Sequence, residues 1–190
     1  MMHFENDIEH CIEVMNTGGL ILYPTDTIWG IGCDATNDEA VEKIFTLKKR
    51  HDRRSMIVLV ATVDDLRHYT EDPGEKIFEF LSAREKPTTV IYERGKNISP
   101  NLVNNDGSIA IRVVMEPFCS ELIKRFKKPV VSTSANISGE AFPNKYKEIN
   151  SEIKNGVDYI VQHRQDDEKP SRPSSIVKLS SDGNIEIIRP

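Results

Sequence analysis

The sequence predicts one α/β domain built around a mixed β-sheet. Three observations predict it. Short apolar runs alternate with stretches of helical spacing along the whole chain, the pattern of strands interleaved with helices. The last two runs, 175–179 and 185–188, are joined by the turn sequence Ser181-Asp182-Gly183-Asn184, so the sheet closes on a hairpin and is not purely parallel. At 190 residues the chain is long enough for one real core and too short for two large ones, so residues 1–190 are read as a single domain.

Residues 5–17 place Ile8, Ile12 and Met15 at helical spacing, and Gly18-Gly19 stops the pattern as a carboxyl-terminal cap does. Residues 19–23 form a short buried strand that leaves into a loop at Pro24, and 28–33 continues as a second extended segment with two glycines. Asn37-Asp38-Glu39 reads as a helix start, with Val41, Ile44, Phe45 and Leu47 as its apolar face. A strand follows at 56–61, then helices at 63–69 and 75–83. Strands are expected at 88–92, 109–114 and 129–132, a helix at 118–126 and a weaker helix at 153–159. Residues 165–173 combine charge, two prolines and no apolar anchor, which reads as a flexible surface loop able to act as a lid.

Composition excludes several classes of protein. No apolar run approaches the roughly 20 residues of a membrane span, and the acidic start MMHFENDIEH is no secretory signal. Cys11, Cys33 and Cys119 are odd in number and form no CxxC pair, which argues against a disulfide framework or zinc site and fits a reducing cytosol. They read as small buried apolar residues. A net charge of −5 argues against a protein that coats nucleic acid. Yet the stretch from Lys48 to Arg54 packs five basic residues and one acid into seven positions, a local patch suited to a small polyanion.

Three constellations carry candidate chemistry. Tyr23-Pro24-Thr25-Asp26-Thr27 puts hydroxyls and a carboxylate at a strand end, either as a ligand site or as a turn bonding its own backbone. Lys48 and Arg50 lie two apart; in an extended segment they share a face, and two converging cations suit a triphosphate. The chain has no GxxxxGK[ST] and no GxGxxG, so side chains must supply the charge for any nucleotide. In Ser132-Thr133-Ser134-Ala135-Asn136-Ile137-Ser138-Gly139, directly after a strand, five of eight residues carry short oxygen-bearing side chains, more than a cap or turn needs. The histidines His3, His10, His51, His68 and His163 are scattered without an HExxH pattern, and no general base is assigned.

In this order the three constellations resemble the YrdC/Sua5/YciO family. The matching segments are Tyr23 to Gly30, Lys48 with Arg50, Pro87-Thr88-Thr89, Arg112-Val113, Ser134 to Gly139, Ser174-Ser175-Ile176-Val177 and Arg189-Pro190. The resemblance implies a strongly twisted mixed sheet flanked by helices, with a concave, positively charged cavity. Some relatives have an extra carboxyl-terminal domain, and no additional domain of the Sua5 kind is expected in this chain. The implied reaction joins L-threonine, bicarbonate and ATP into threonylcarbamoyl-adenylate and pyrophosphate. That product then feeds a separate transferase that modifies adenosine 37 of tRNA. By resemblance Thr27, Arg112, Ser132 and Ser174 contact L-threonine, while Lys48, Arg50, Arg54, Ser108, Ser134 and Arg189 contact ATP and Asn136 in the same set shapes its loop. Lys48 and Arg50, with Mg²⁺, stabilise the leaving pyrophosphate. The expected location is the cytoplasm, and no protein metal site is expected. The chain departs from the family pattern at His51, where a proline follows the basic pair, and at Leu59, where synthases often carry a threonine-contacting histidine. Two other readings follow: a double-stranded RNA- or tRNA-binding protein without catalysis, and a YciO-like enzyme acting on a related substrate.

Overall fold

The computed structural model describes residues 4–50, 56–71, 73–168, 173–180 and 182–190. The amino-terminal helix α1 (Glu5–Asn16) buries Ile8, Cys11 and Met15, the face set by its apolar spacing. Next come strands β1 (Ile21–Tyr23) and β2 (Gly30–Gly32), then α2 (Asp38–Leu47), capped by the Asn37 side chain, which accepts from the Ala40 amide at 3.0 Å. The middle of the chain supplies β3 (Ile57–Val60), α3 (Leu66–Tyr69), α4 (Glu75–Ser82), β4 (Thr88–Tyr92) and β5 (Ile109–Val113). It ends with α5 (Pro117–Phe126), β6 (Val130–Ser134), α6 (Ser151–Asn155), β7 (Tyr159–Ile160), β8 (Ser175–Leu179) and β9 (Ile185–Arg189).

Among the described residues these strands form one nine-stranded mixed sheet in the order β7-β1-β2-β6-β3-β5-β4-β8-β9. Pairs β1/β7, β3/β5 and β4/β8 are parallel; the others are antiparallel, including the terminal hairpin β8/β9. Each face has its own core. One cluster packs Val58, Val60, Val90, Ile109 and Ile111 against α2, α3, α4 and α6 through Val41, Ile44, Leu66, Ile77 and Ile153. The other packs Tyr23, Leu59 and Val130 against α1 and α5 through Ile8, Met15, Phe118 and Leu122. Side chains alternate along a strand, so Leu59 and Val58 serve opposite faces.

One expected element differs. The helix expected over 153–159 stops at Asn155, and Tyr159–Ile160 instead runs parallel to β1 as the sheet's edge strand. Gly156 caps the helix where the chain runs close to α2: a Cβ there would fall 2.2 Å from Leu47 Cδ1, so a larger residue would displace that side chain. Beyond it the Asp158 carboxylate accepts from the Leu20 amide at 2.7 Å, and the Tyr159 and Val161 amides donate to Leu20 and Leu22. The segment is then held by Asp7 of α1, whose buried carboxylate accepts from the Tyr159 hydroxyl and from the amides of Gln162 and His163. Among the described residues no helix is long and apolar enough to cross a membrane.

Candidate functional site

Helices α1 and α5 cover only part of their sheet face, and a cavity of about 360 Å³ lies beside them. The register places it. Thr89 of β4 opposes Arg112 of β5, Arg112 opposes Leu59 of β3, and Leu59 opposes Val130 of β6. Directly opposed residues share a face, so this row runs from the cavity to beneath the helices. Thr89 and Arg112 line the cavity, whereas Leu59, fully buried, packs with Phe118 and Val130. Ile57 and its partner Ser132 line it one row along.

The floor is rich in hydroxyls: Thr27, Thr89, Ser132, Ser134 and Ser174. The Thr89 and Ser174 hydroxyls lie 2.8 Å apart. Strand β2 passes β6 closely because Gly30 has no side chain; a Cβ there would sit 3.1 Å from Ser132 Oγ. Three guanidinium groups, Arg50, Arg112 and Arg189, complete the polar lining. Arg189 donates through Nε and Nη2 to the Ser174 carbonyl, at 3.1 and 2.8 Å, tying the last strand to the start of β8. Burial, then the nearby charge of Arg112, holds its pKa below the ordinary arginine value.

Arg112 and Asp26 form a buried ion pair at 3.0 Å, with side chains 3% and 6% exposed. Their alignment is poor: Arg112 Nε and Nη2 and both Asp26 oxygens make no hydrogen bond among the described residues. Polar atoms left so are costly to bury and gain most when a ligand meets them. The loop that carries Asp26 is set by Thr25, whose hydroxyl accepts from the Thr27 amide and donates to the Ile28 carbonyl. Arg164 fastens it from outside by donating to the Thr25 carbonyl at 3.0 Å.

The basic cluster differs from expectation. Lys48 and Arg50 do not share the face of an extended segment, because α2 ends in a Schellman turn. The Arg50 amide donates to the Phe45 carbonyl and the Lys49 amide to that of Thr46, with Lys49 at φ 51°. The turn sends the side chains apart. Arg50 lines the cavity, Lys49 pairs with Glu152, and Lys48 runs beneath the Ser134–Asn136 loop. There the three N–H groups of Lys48 meet three acceptors: the carbonyls of Ser134 and Asn136, at 2.5 and 2.7 Å, and Asn136 Oδ1 at 3.3 Å. Burial, then Arg50, lowers its pKa to about 8.

The other expected site residues fall as follows. Thr27, Arg50, Arg112, Ser132, Ser134, Ser174 and Arg189 come together around the cavity. Asn136 stands behind it, holding its loop by donating to the carbonyls of Ile137 and Glu140. Ser108 is engaged elsewhere, donating to Asp106 at 2.6 Å and accepting from Asn104 within their own turn. Arg54 and His51 lie outside the described residues. Ser132, Thr133 and Ser134 belong to β6, so the oxygen-rich run begins inside the strand. The loop expected to be flexible over 165–173 is tied down at its start, where Arg164 pairs with Asp167 and Glu168 with Lys145 and Lys147; residues 169–172 lie outside the described set. Sequence reasoning placed Thr89 in a matching segment without giving it a role, and did not single out Phe142 in the lining or the buried position of Asp26. For Asp26 the signal was present, a carboxylate between two threonines at a strand end.

Among the described residues no group of three or more histidine, cysteine or acidic side chains is placed to hold a metal. Among the described residues the cavity lining contains no carboxylate, and its charged groups are guanidiniums. The three cysteine thiols are buried and their pKa values raised, chiefly by burial, which leaves no thiolate nucleophile.

Fold and site together define an α/β protein with a cavity lined by arginines and hydroxyls on the open part of a mixed sheet. The chain belongs to the Sua5/YciO/YrdC family: the family model, described as telomere recombination, matches residues 13–190. Over 134 residues it is 36% identical to the threonylcarbamoyl-AMP synthase of Saccharophagus degradans, covering 70% of each chain. A putative threonylcarbamoyl-AMP synthase of Methanocaldococcus jannaschii is 34% identical over 178 residues, or 92% of this chain and 81% of that one. Among solved structures, P. abyssi Sua5 complexed with L-threonine is similar with a TM-score of 0.81 at 20% identity, covering 92% of this chain and 51% of that one. E. coli YciO is similar with a TM-score of 0.80 at 23% identity, covering 97% and 88%. This chain thus spans about half the length of the Sua5 chain, and at these identities the structural likeness speaks for the fold.

Proposed function

We propose that the chain is an L-threonylcarbamoyl-AMP synthase, a nucleotidyltransferase that makes threonylcarbamoyl-adenylate and pyrophosphate from L-threonine, bicarbonate and ATP. The observation that supports this reading is one cavity whose lining brings guanidinium groups together with a row of hydroxyls. Arg112, paired with Asp26, shares that lining with Thr27, Thr89, Ser132 and Ser174, a set that suits an amino-acid carboxylate and hydroxyl. Arg50, Ser134 and Arg189 suit the phosphates of ATP. The identities to named synthases support the same reading.

In this mechanism the residues hold and orient. The carbamate of threonine is short-lived, so it must meet the α-phosphate before it decomposes. Its oxygen attacks the α-phosphorus, one P–O bond forms, and the bond to the β-phosphate breaks to release pyrophosphate. Arg50 and Arg189 meet the charge that gathers on the leaving group, and Lys48 acts from behind by fixing the carbonyls around Ser134. Ser108, engaged in its own turn, is left out of this scheme. The product would pass to a separate transferase acting on tRNA.

The test is pyrophosphate release from ATP in bicarbonate buffer with Mg²⁺, with and without L-threonine. Release that requires both threonine and bicarbonate is expected, and Arg50→Ala or Arg112→Ala should lower kcat/KM by at least roughly a hundredfold. Release independent of threonine would sink the reading in favour of a YciO-like activity on another substrate.

A further inference from the structure

Among the described residues the cavity has one aromatic side chain in its lining, Phe142, and the synthase reaction gives that ring no task. It is 41% exposed. A single exposed apolar residue is ordinary and by itself means little. Its surroundings make the difference. Trp29 meets the ring of Tyr146 in a tilted contact at 5.0 Å, whereas Phe142 has no ring partner among the described residues. The loop that presents it is held on both sides. Before it, the Glu140 carbonyl accepts from Asn136 at 2.7 Å, and Asn136 is itself held by Lys48. After it, Pro143 is buried, the Asn144 amide donates to Glu148 at 2.8 Å, and Lys145 pairs with Glu168. The ring is therefore exposed on a fastened loop, in the lining of the cavity that also holds Met56, Pro173, Arg50 and Arg189.

The polar groups of this cavity suit carboxylate, hydroxyl and phosphate. Among the described residues of the lining, Phe142 alone offers the flat apolar ring that a nucleobase needs. Resting on the reading of the cavity as a nucleotide site, we propose that Phe142 is the platform on which the base of a free nucleoside triphosphate stacks, and that it favours purine over pyrimidine. Stacking strength follows the overlapping π-surface, so the two-ring bases gain most, while adenine and guanine are not told apart by the ring.

Calorimetric titration of the full chain with ATP, CTP and inorganic tripolyphosphate tests this. Tripolyphosphate reads the phosphate subsite without a base. Phe142→Ala is expected to weaken ATP by roughly tenfold or more and CTP by less, to leave tripolyphosphate unchanged, and to be rescued by Phe142→Tyr. If Phe142→Ala leaves ATP unchanged, or weakens ATP and tripolyphosphate equally, the platform is refuted while the synthase reading stands. If the unaltered chain binds neither ATP nor tripolyphosphate, it is the nucleotide reading that fails. Should a short single-stranded RNA bind through Phe142 more tightly than ATP does, the ring serves RNA and the proposal for a free nucleotide is overturned.

Discussion

At the scale of single residues, Lys48 separates what a motif names from what its atoms do. Its place beside Arg50 invites a phosphate contact, yet all three of its donors are taken by the Ser134–Asn136 loop. The ammonium acts by shaping the oxygen-rich strand end. Its pKa, lowered to about 8 by burial and then by Arg50, gives the idea a pH dependence. Above that pH the neutral amine has two donors, one acceptor is released, and the loop loosens. ATP affinity should therefore fall by roughly tenfold as pH rises through about 8, the worth of one charged hydrogen bond. Folding follows the opposite sign. The folded chain sheds this proton before the unfolded chain does, so between about 8 and the ordinary lysine value rising pH favours the folded state through this group. Lys48→Arg, which stays charged, should flatten the affinity profile in titrations from pH 7 to 10. Parallel profiles for the two proteins would show that Lys48 does not govern the loop. None of this was legible in the sequence, because a Lys-x-Arg spacing does not reveal which cation is buried.

Elements were easier to read than their ends. Apolar periodicity located α1, α2, α5 and the central strands because each buries one face, and burial writes itself into spacing. The junction after α2 was not legible, since its Schellman turn uses Lys49 and no glycine at the left-handed position. That turn decides where Lys48 and Arg50 point, so its geometry belongs to the site. A β-branched residue resists φ 51° more than lysine does. Lys49→Val is expected to cost about 1–2 kcal/mol in chemical denaturation and to weaken ATP binding as Arg50 is redirected. Lys49→Gly should stay within about 0.5 kcal/mol, since the Lys49–Glu152 pair it removes is half-exposed and screened. Equal effects of valine and glycine would mean that the ion pair, not the backbone, holds this junction. The short edge strand β7 escaped notice for a related reason: two residues are too few for a period, and Gly156, which ends α6, is set by contact with distant Leu47.

For the whole molecule, the division between fold and site runs along one strand. Ile57 and Leu59 of β3 point to the same sheet face, but Ile57 lines the cavity and Leu59 lies under α1 and α5. The alternation of β3 predicts that they share a face; only the packing of α5 across the sheet decides which of them meets a ligand. This bears on the departure at Leu59. Opposed to Arg112 and Val130, and fully buried with Phe118, its side chain contributes to the core. Leu59→Ala should therefore destabilise the fold by about 2–5 kcal/mol while leaving threonine affinity within about twofold once the folded fraction is taken into account. Ile57→Ala, at a half-buried position, should cost about 1 kcal/mol or less and shift the affinity for threonine or ATP by more than that. Leu59→His carries the same logic further: an imidazole without a partner in this cluster should cost about 1–3 kcal/mol. Denaturant titration paired with ligand titration on the three variants checks the boundary. If Leu59→His instead tightens threonine binding at little cost in stability, position 59 reaches the ligand, and the limit of the site moves under the helices.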